Sequence, residues 1–166
     1  MHFRITTVCL GNICRSPMAA AVLISKFADA GLADVRVRSA GTAGYHIGED
    51  ADPRARATLR EAGYDLNHRA TQVSPEMLHD SDLLLAMDTA NADDLRSLAN
   101  RHGAPRDRIR LLRSFDPSCP DEADVPDPYY GGRDGFRDVL DMIEKSADGV
   151  VVYVRDELEQ GRTPGA

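Results

Sequence analysis

The chain has 166 residues, of which 42% are hydrophobic and 28% charged, and its formal net charge is −7 at pH 7. This length suits one ordinary domain with a buried core, and the acidic balance argues against general nucleic-acid binding, which depends on a basic surface. There is no apolar run near the ~18 residues that cross a bilayer, and three cysteines do not suggest a disulfide framework. The first residues enter a strand-like run without the layout of a signal peptide, so we expect a cytoplasmic protein without a membrane partner, with secretion by another route left open.

The predicted elements alternate between strands and helices. In chain order they are a strand over residues 3–8, a helix over 17–30, an edge strand over 35–38, a helix over 52–62, a buried strand over 83–87, a helix over 89–101, an edge strand over 109–112 and a helix over 134–147. Residues 150–154 carry β-branched side chains, which favour a strand. They run into a helical pattern at 155–160, and we predict a helix.

This alternation is typical of an α/β protein with a parallel sheet and right-handed crossover helices. Residues 1–160 are expected to form a single domain, and residues 161–166 a flexible tail. In such sheets ligands bind at the carboxyl ends of the strands. The most informative segment of the chain, from Val8 to Pro17, lies at that end of the first strand.

Several residue types in this segment favour an anion site. It has the sequence VCLGNICRSP. Gly11 permits a positive φ and a close backbone approach, and Asn12 tolerates a left-handed turn. Ser16 is predicted to cap the following helix with Pro17 at its first position, so that the helix dipole and free N–H groups face the loop. Arg15 adds a fork that binds two phosphate oxygens at once.

Cys9 is the candidate nucleophile of this loop. Beside the helix N-terminus and Arg15 it is expected to exist largely as a thiolate, a competent nucleophile at neutral pH. Taken alone, Cys9 would more often be a small buried residue at a strand end, but its neighbours argue against that. The glycine patterns of nucleotide-binding loops are absent, and the spacing of Cys9, Cys14 and Cys119 does not predict a metal site, so no metal or cofactor is expected.

With these residues in place, the loop from Val8 to Pro17 closely resembles the signature of low-molecular-weight protein tyrosine phosphatases. The segment DPYY at 127–130 is similar to that family's general-acid loop, as are SAGT at 39–42 after the second strand, NHRA at 67–70, and Met87-Asp88 after the third strand. The resemblance covers essentially the whole chain. It implies a three-layer α/β/α fold with a central four-stranded parallel sheet of order 2-1-3-4 and a phosphate-binding loop after the first strand.

The resemblance implies an enzyme that hydrolyses phosphotyrosine in proteins through a phosphocysteine on Cys9. Arg15 and the loop N–H groups would hold the phosphate oxygens, and Asp127 would act first as general acid and then as general base. The phosphate-binding residues would be Leu10, Gly11, Asn12, Ile13, Cys14, Arg15 and Ser16. Pro128 restricts Asp127 to extended conformations, although an Asp-Pro pair alone is also a common start of a turn.

Acidic side chains precede Asp127 in the same stretch: Asp116, Asp121, Glu122 and Asp124. Because like charges disfavour ionisation, these residues either help to keep Asp127 protonated or form an ordinary solvated loop, and both interpretations stay open.

By the same resemblance, supporting roles fall to other residues. Asn12, Ser16, Ser39 and His68 would hold the loop in shape, with the Ser16 hydroxyl donating to the Cys9 thiolate. Leu10, Ile13, Tyr45, Tyr129 and Tyr130 would line the substrate pocket, with Tyr129 and Tyr130 enclosing an aromatic ring. Alternatively, His68 is an ordinary surface histidine, and the tyrosines are half-buried packing residues. Cys14 is either a redox partner that forms a protective disulfide with Cys9 or a small packing residue.

Three other activities stay open. Relatives that act on phosphoarginine carry threonine where this chain has Ile13, and arsenate reductases need redox cysteines that residues 80–100 lack. A phosphotyrosine-binding module would not need Asp127. The expected partners are phosphotyrosine-containing proteins, with a tyrosine kinase among the candidates, and the expected state is a monomer or weak dimer. The sequence leaves the physiological substrate and pathway open.

Overall fold

Strands and helices alternate along the chain in the structure, a computed structural model that describes residues 2–119 and 123–161. In chain order the elements are β1 (Phe3–Cys9), α1 (Arg15–Asp29), β2 (Val35–Gly41), α2 (Pro53–Glu61), α3 (Pro75–Asp80), β3 (Leu83–Ala86), α4 (Thr89–His102), β4 (Ile109–Leu111), a 3-10 turn (Leu112–Phe115) and α5 (Arg133–Glu159). Residues 162–166, most of the predicted tail, lie outside the described residues.

The four strands form one parallel sheet of order β2-β1-β3-β4. β1 pairs with β2 over its full length, from Phe3 beside Val35 to Cys9 beside Gly41. β3 lies on the other side of β1, and β2 and β4 are the edges, as their sequences indicate. Because the strands are parallel, Cys9 and Ala86 end at the same edge of the sheet. The predicted sheet and its strand order are confirmed.

Two apolar clusters, one on each face of the sheet, hold the layers together. On one face α1 and α5 cover Phe3 and Ile5 of β1. On the other face α3 and α4 cover Val8 of β1 and Leu84 of β3. Successive side chains of a strand point to opposite faces, so β1 contributes to both clusters. This arrangement leaves the carboxyl end of β1 between the layers.

The ambiguous segment 150–154 is helical, as predicted. α5 continues from Arg133 to Glu159 without a break, and Val150, Val151 and Val154 lie buried in it. They extend the apolar stripe that already contains Ile143, and this stripe packs in the cluster that includes α1. Tertiary packing of an amphipathic face outweighs the weak preference of valine for strands.

Three details differ from the sequence prediction. α3 and the 3-10 turn at Leu112–Phe115 were not predicted, because elements of six and four residues are too short for a periodic pattern. α3 nevertheless has a start signal, since Ser74 accepts a hydrogen bond from the Met77 N–H at 3.2 Å. The segment 39–41, expected after the second strand, forms the last residues of β2.

Within residues 2–119 and 123–161, no helix is both long and apolar enough to cross a membrane.

We expect Gly149→Ala to destabilise the protein by about 1–3 kcal/mol. Alanine normally stabilises a helix relative to glycine, but a Cβ on Gly149 of α5 would overlap the backbone carbonyl of Phe115. Chemical denaturation measures the difference. The matched control is Gly135→Ala in the same helix, where an added Cβ lies 3.8 Å from Pro128 in ordinary contact. Equal stability of the two variants would contradict the close approach at Gly149.

Candidate active site

The loop after β1 turns its backbone carbonyls outward. The oxygens of Cys9, Leu10, Asn12 and Ile13 accept hydrogen bonds of 2.6–3.0 Å from Thr42 N, Ala43 N, His68 Nε2 and Asp52 N, respectively. A trans peptide carries its C=O and its N–H on opposite sides. The N–H groups of the next residues in sequence, at 10, 11, 13 and 14, therefore face the inside of the loop. In the described parts of the chain they meet no acceptor, so they are available to an anion.

Asn12 stabilises this turn. It is fully buried, and its φ of 58° lies in the left-handed region, as predicted. Its side-chain amide donates to Ser16 Oγ at 2.8 Å and to Ser39 Oγ at 2.9 Å. Its Oδ1 accepts from the Thr71 N–H at 2.9 Å. His68 bonds to the carbonyl of Asn12. Asn12 therefore connects its own loop with the start of α1, with β2 and with the segment that contains His68 and Thr71.

Gly11 does not use the positive φ that glycine permits, because Asn12 takes that conformation instead. The absence of a side chain at Gly11 matters for another reason. A Cβ there would lie 3.0 Å from Cδ2 of His46, which packs over the loop. His46 is held by a 2.6 Å hydrogen bond between its Nδ1 and Glu49. No motif in the sequence pointed to His46.

The predicted helix cap at Ser16 is also wrong. α1 begins at Arg15 with Cys14 at the N-cap position, and no side chain caps it. The Ser16 hydroxyl accepts from Asn12 and has two acceptors within reach of its proton, Cys9 Sγ at 3.0 Å and the more distant Ala40 carbonyl at 3.4 Å. Pro17 is consequently the third helical residue rather than the first. Ser16 therefore orients the Cys9 thiol, and the N-terminus of α1 has no side-chain cap.

Arg15 is 3% exposed and lies between two segments that sequence reasoning did not connect with it. Its Nη1 donates to Asp88 Oδ2 at 2.6 Å and to the Val125 carbonyl at 3.0 Å. Its Nη2 lies 3.7 Å from Asp127 Oδ2. Asp88 also caps α4 through a 2.7 Å bond from the Asn91 N–H. The Met87-Asp88 pair was visible in the sequence, but its contact with Arg15 was not.

Asp127 lines the same cavity as Cys9 and Arg15. Its Oδ1 accepts from the Tyr129 N–H at 3.0 Å, and its Oδ2 faces Arg15. Its side chain is 41% exposed, so it is accessible to substrate and water.

The acidic residues before Asp127 have partners of their own where they are described. Asp124 accepts two hydrogen bonds from Thr89, and Asp116 accepts two from Ser118. Asp121 and Glu122 lie outside the described residues. The interpretation that these charges keep Asp127 protonated therefore stays a prediction.

The loop and the Asp127 segment enclose a cavity of about 250 Å³. Cys9, Arg15 and Asp127 line it together with the five residues predicted for the substrate pocket, Leu10, Ile13, Tyr45, Tyr129 and Tyr130. Tyr45 and Tyr130 are 76% and 93% exposed, which places them at the mouth. The rings of Tyr129 and Tyr130 meet edge to face at 5.0 Å and 84°, so in this conformation they pack on each other rather than as parallel walls.

Cys14 has a different environment from Cys9. It is 5% exposed, and both cysteines are free thiols. Burial raises the pKa of the Cys14 thiol to about 12, and the negative charge of nearby Asp52 acts in the same direction. Cys14 is therefore protonated at neutral pH, and its thiol is a poor nucleophile. No group of three or more histidine, cysteine or carboxylate side chains among residues 2–119 and 123–161 is arranged to hold a metal ion.

This geometry defines a cysteine-based phosphate-binding loop on a doubly wound sheet, and comparison with known proteins identifies its family. Residues 4–160 match the model of the low molecular weight phosphotyrosine protein phosphatases. A low molecular weight protein-tyrosine-phosphatase of Streptomyces coelicolor is 47% identical over 163 residues, which cover 96% of this chain and 98% of the relative. The chain belongs to the low molecular weight phosphotyrosine protein phosphatase family, so the predicted family and enzyme class are confirmed.

Solved structures agree with this assignment. A protein tyrosine phosphatase from Entamoeba histolytica superposes with a TM-score of 0.84 at 32% identity, covering 96% of this chain and 98% of that one. The arginine phosphatase YwlE from Geobacillus stearothermophilus superposes with a TM-score of 0.82 at 31% identity, covering 95% and 96%. The fold is thus common to enzymes with two different phosphoamino-acid substrates.

We expect His68 to make stability depend on pH between about 7 and 5. Burial lowers the pKa of His68 below its ordinary value of 6.5, although its bond to the Asn12 carbonyl acts in the opposite direction. The unfolded chain therefore takes up a proton at higher pH than the folded one, and the free energy of unfolding falls as the pH drops below 6.5. Between pH 7 and pH 5, chemical denaturation should show a smaller drop in the free energy of unfolding for His68→Gln than for the unsubstituted protein. The glutamine amide can still donate a hydrogen bond to the Asn12 carbonyl. An equal loss in both proteins would contradict this role.

Proposed function

We propose that this protein hydrolyses phosphotyrosine in proteins, with Cys9 as nucleophile, Arg15 as phosphate ligand and Asp127 as general acid and base. One observation carries the proposal. Cys9, Arg15 and Asp127 line the same cavity, the N–H groups at 10, 11, 13 and 14 face the inside of the loop, and Arg15 Nη2 lies 3.7 Å from Asp127 Oδ2. An in-line displacement at phosphorus needs a nucleophile on one side and a proton donor at the leaving oxygen on the other.

In the first step the Cys9 thiolate attacks phosphorus. A sulfur–phosphorus bond forms as the bond from phosphorus to the phenolic oxygen breaks, and Asp127 gives its proton to that oxygen. The inward N–H groups and Arg15 bind the three equatorial oxygens, whose charge they stabilise throughout. Arg15 does not need to reorganise for this, because Asp88 and the Val125 carbonyl already hold its Nη1.

In the second step water attacks the phosphocysteine. Asp127, now ionised, takes a proton from the water as it attacks, and inorganic phosphate leaves Cys9 as a thiolate. The Ser16 hydroxyl, 3.0 Å from the sulfur, stabilises the departing thiolate by donating a hydrogen bond. The exposure of the Asp127 carboxylate allows the same group to meet the phenol first and the water later.

The cavity walls favour an aryl phosphate. Ile13 and Leu10 supply apolar surface next to the phosphate cradle, and three tyrosines lie at or near the mouth. Such walls suit the flat apolar ring of phosphotyrosine. Ile13 has no hydroxyl to bond the guanidinium of phosphoarginine, so arginine phosphatase activity is the second candidate, motivated by structural relatives such as YwlE.

We extend the proposal to setting and partners. Phosphotyrosine-containing proteins, among them a tyrosine kinase, are the proposed substrates, and the protein is proposed to act in the cytoplasm as a monomer or weak dimer. Three cysteines in 166 residues do not suggest a disulfide framework, which supports a reducing compartment.

Two variants test the mechanism. Cys9→Ser should abolish turnover of p-nitrophenyl phosphate and of a phosphotyrosine peptide, because a neutral hydroxyl is a poor nucleophile. Asp127→Asn should lower kcat/KM on the peptide by about 100-fold or more, since it cannot donate the proton. Steady-state kinetics on phosphotyrosine and phosphoarginine peptides of one sequence measure the preference. Turnover that survives Cys9→Ser, or a higher kcat/KM on phosphoarginine, would overturn the proposal.

The pKa of Cys14 predicts how the loop responds to peroxide. Peroxide converts the Cys9 thiolate to a sulfenic acid, and the Cys14 thiolate then displaces hydroxide from that sulfur to form the disulfide. Because the Cys14 pKa is raised to about 12, this second reaction should be slow at neutral pH. Mass spectrometry after mild peroxide treatment should show the ratio of disulfide to Cys9 sulfinic acid rising several-fold from pH 6.5 to pH 8.5. A ratio independent of pH would contradict this explanation.

A further inference from the structure

Arg54, the second residue of α2, bonds to the backbone of the Asp127 segment. Its Nη2 donates to the Tyr129 carbonyl at 2.9 Å and its Nη1 to the Gly131 carbonyl at 3.0 Å. Its guanidinium also lies over the rings of Tyr129 and Phe136, at 5.6 and 4.7 Å from their centroids. Arg54 is not among the residues that line the cavity. It therefore acts on the segment rather than on a ligand.

The Tyr129 peptide connects Arg54 to the Asp127 carboxylate. Arg54 holds the carbonyl of Tyr129, while the N–H of Tyr129 donates to Asp127 Oδ1 at 3.0 Å. With Oδ1 held in this way, the other carboxylate oxygen, Oδ2, is directed at Arg15 and the phosphate cradle. A displacement of the Tyr129 backbone would change the direction of Oδ2.

Asp52 fixes Arg54 from the other side. Its two carboxylate oxygens bind Arg54 Nε at 3.1 Å and Nη2 at 3.0 Å in a bidentate pair. Asp52 is 8% exposed, and its own N–H donates to the Ile13 carbonyl of the phosphate loop at 2.8 Å. Burial opposes ionisation of Asp52, but the hydrogen bonds from the Arg54 side chain and backbone outweigh it and lower the pKa of the carboxyl. The pair is therefore ionised at neutral pH.

We propose that Arg54 is a positioning residue that sets the distance and direction of Asp127 relative to the phosphate loop. The connection runs from the Ile13 carbonyl through Asp52, Arg54 and the Tyr129 peptide to the Asp127 carboxylate. The inference rests on the proposed function, because it assigns Arg54 a part in the proton transfer by Asp127.

Lysine cannot replace Arg54 in this geometry. The planar guanidinium reaches a carboxylate and two separate carbonyls with different nitrogens, whereas an ammonium offers its donors from one atom. Arg54→Lys keeps the positive charge and most of the apolar stem, so it removes the fork with little other change.

The experiment compares two aryl phosphates whose leaving groups differ in their need for a proton. Phenyl phosphate requires protonation of its leaving oxygen, while 2,4-dinitrophenyl phosphate releases a stable phenolate. Arg54→Lys should lower kcat/KM on phenyl phosphate by about tenfold or more and on 2,4-dinitrophenyl phosphate by less than about threefold. Equal losses on both substrates, or no loss on either, would overturn the proposal.

Two further variants exclude a general loss of structure. Arg56→Lys, in the same helix with an exposed pair to Asp50, should leave both substrates unaffected. In an Asp127→Asn background, Arg54→Lys should cause almost no additional loss on phenyl phosphate, because the two residues act through one proton transfer. Losses that multiply in the double variant would overturn the role assigned to Arg54.

The same measurements separate this inference from the proposed function. If Cys9→Ser retains activity, the proposed mechanism fails whatever Arg54 does. If Cys9→Ser and Asp127→Asn behave as expected while Arg54→Lys shows no dependence on the leaving group, only the positioning role fails.

Discussion

The left-handed turn at Asn12 is the constraint on which the rest of the site depends. A loop with carbonyls outside and N–H groups inside must reverse its direction within a few residues, and a residue of positive φ makes this reversal. Each outer carbonyl is then bonded by a neighbouring segment, which ties the cradle to β2, α2 and His68. The attraction for an anion comes from fixed dipoles, so a chain of net charge −7 can still bind phosphate.

The burial of Arg15 adds a second constraint. A buried guanidinium is costly unless its donors are bonded, and Asp88 and the Val125 carbonyl provide these bonds. Val125 is itself held by a 2.7 Å bond from its N–H to the Met87 carbonyl at the end of β3. The bonds that satisfy the cation therefore also bring the segment before Asp127 to the cradle. Stability and site geometry depend on the same contacts.

Sequence reasoning was strongest where local chemistry determines the structure. The alternation of apolar runs predicted the parallel sheet, and the residue types of the loop pointed to the left-handed Asn12, while the family resemblance implied that Ser16 faces Cys9. It failed where a contact joins distant segments. Nothing in the sequence near Asp88 or Arg54 indicates their partners. Arg15 lies 73 residues from Asp88, and Tyr129 lies 75 residues from Arg54. The cap assigned to Ser16 was wrong because its hydroxyl has a partner in the loop rather than in the helix.

The segment around Asp127 combines anchored ends with an accessible centre. Before Asp127, the Asp124 carboxylate accepts from the Thr89 N–H, and the Val125 N–H donates to the Met87 carbonyl just after β3. After it, Arg54 holds the carbonyls of Tyr129 and Gly131. The carboxylate between them is 41% exposed. Fixed ends keep its direction constant, and exposure lets a phenol leave and a water enter. A more deeply buried carboxylate would hold its position as well, but it would exclude the water that the second step consumes.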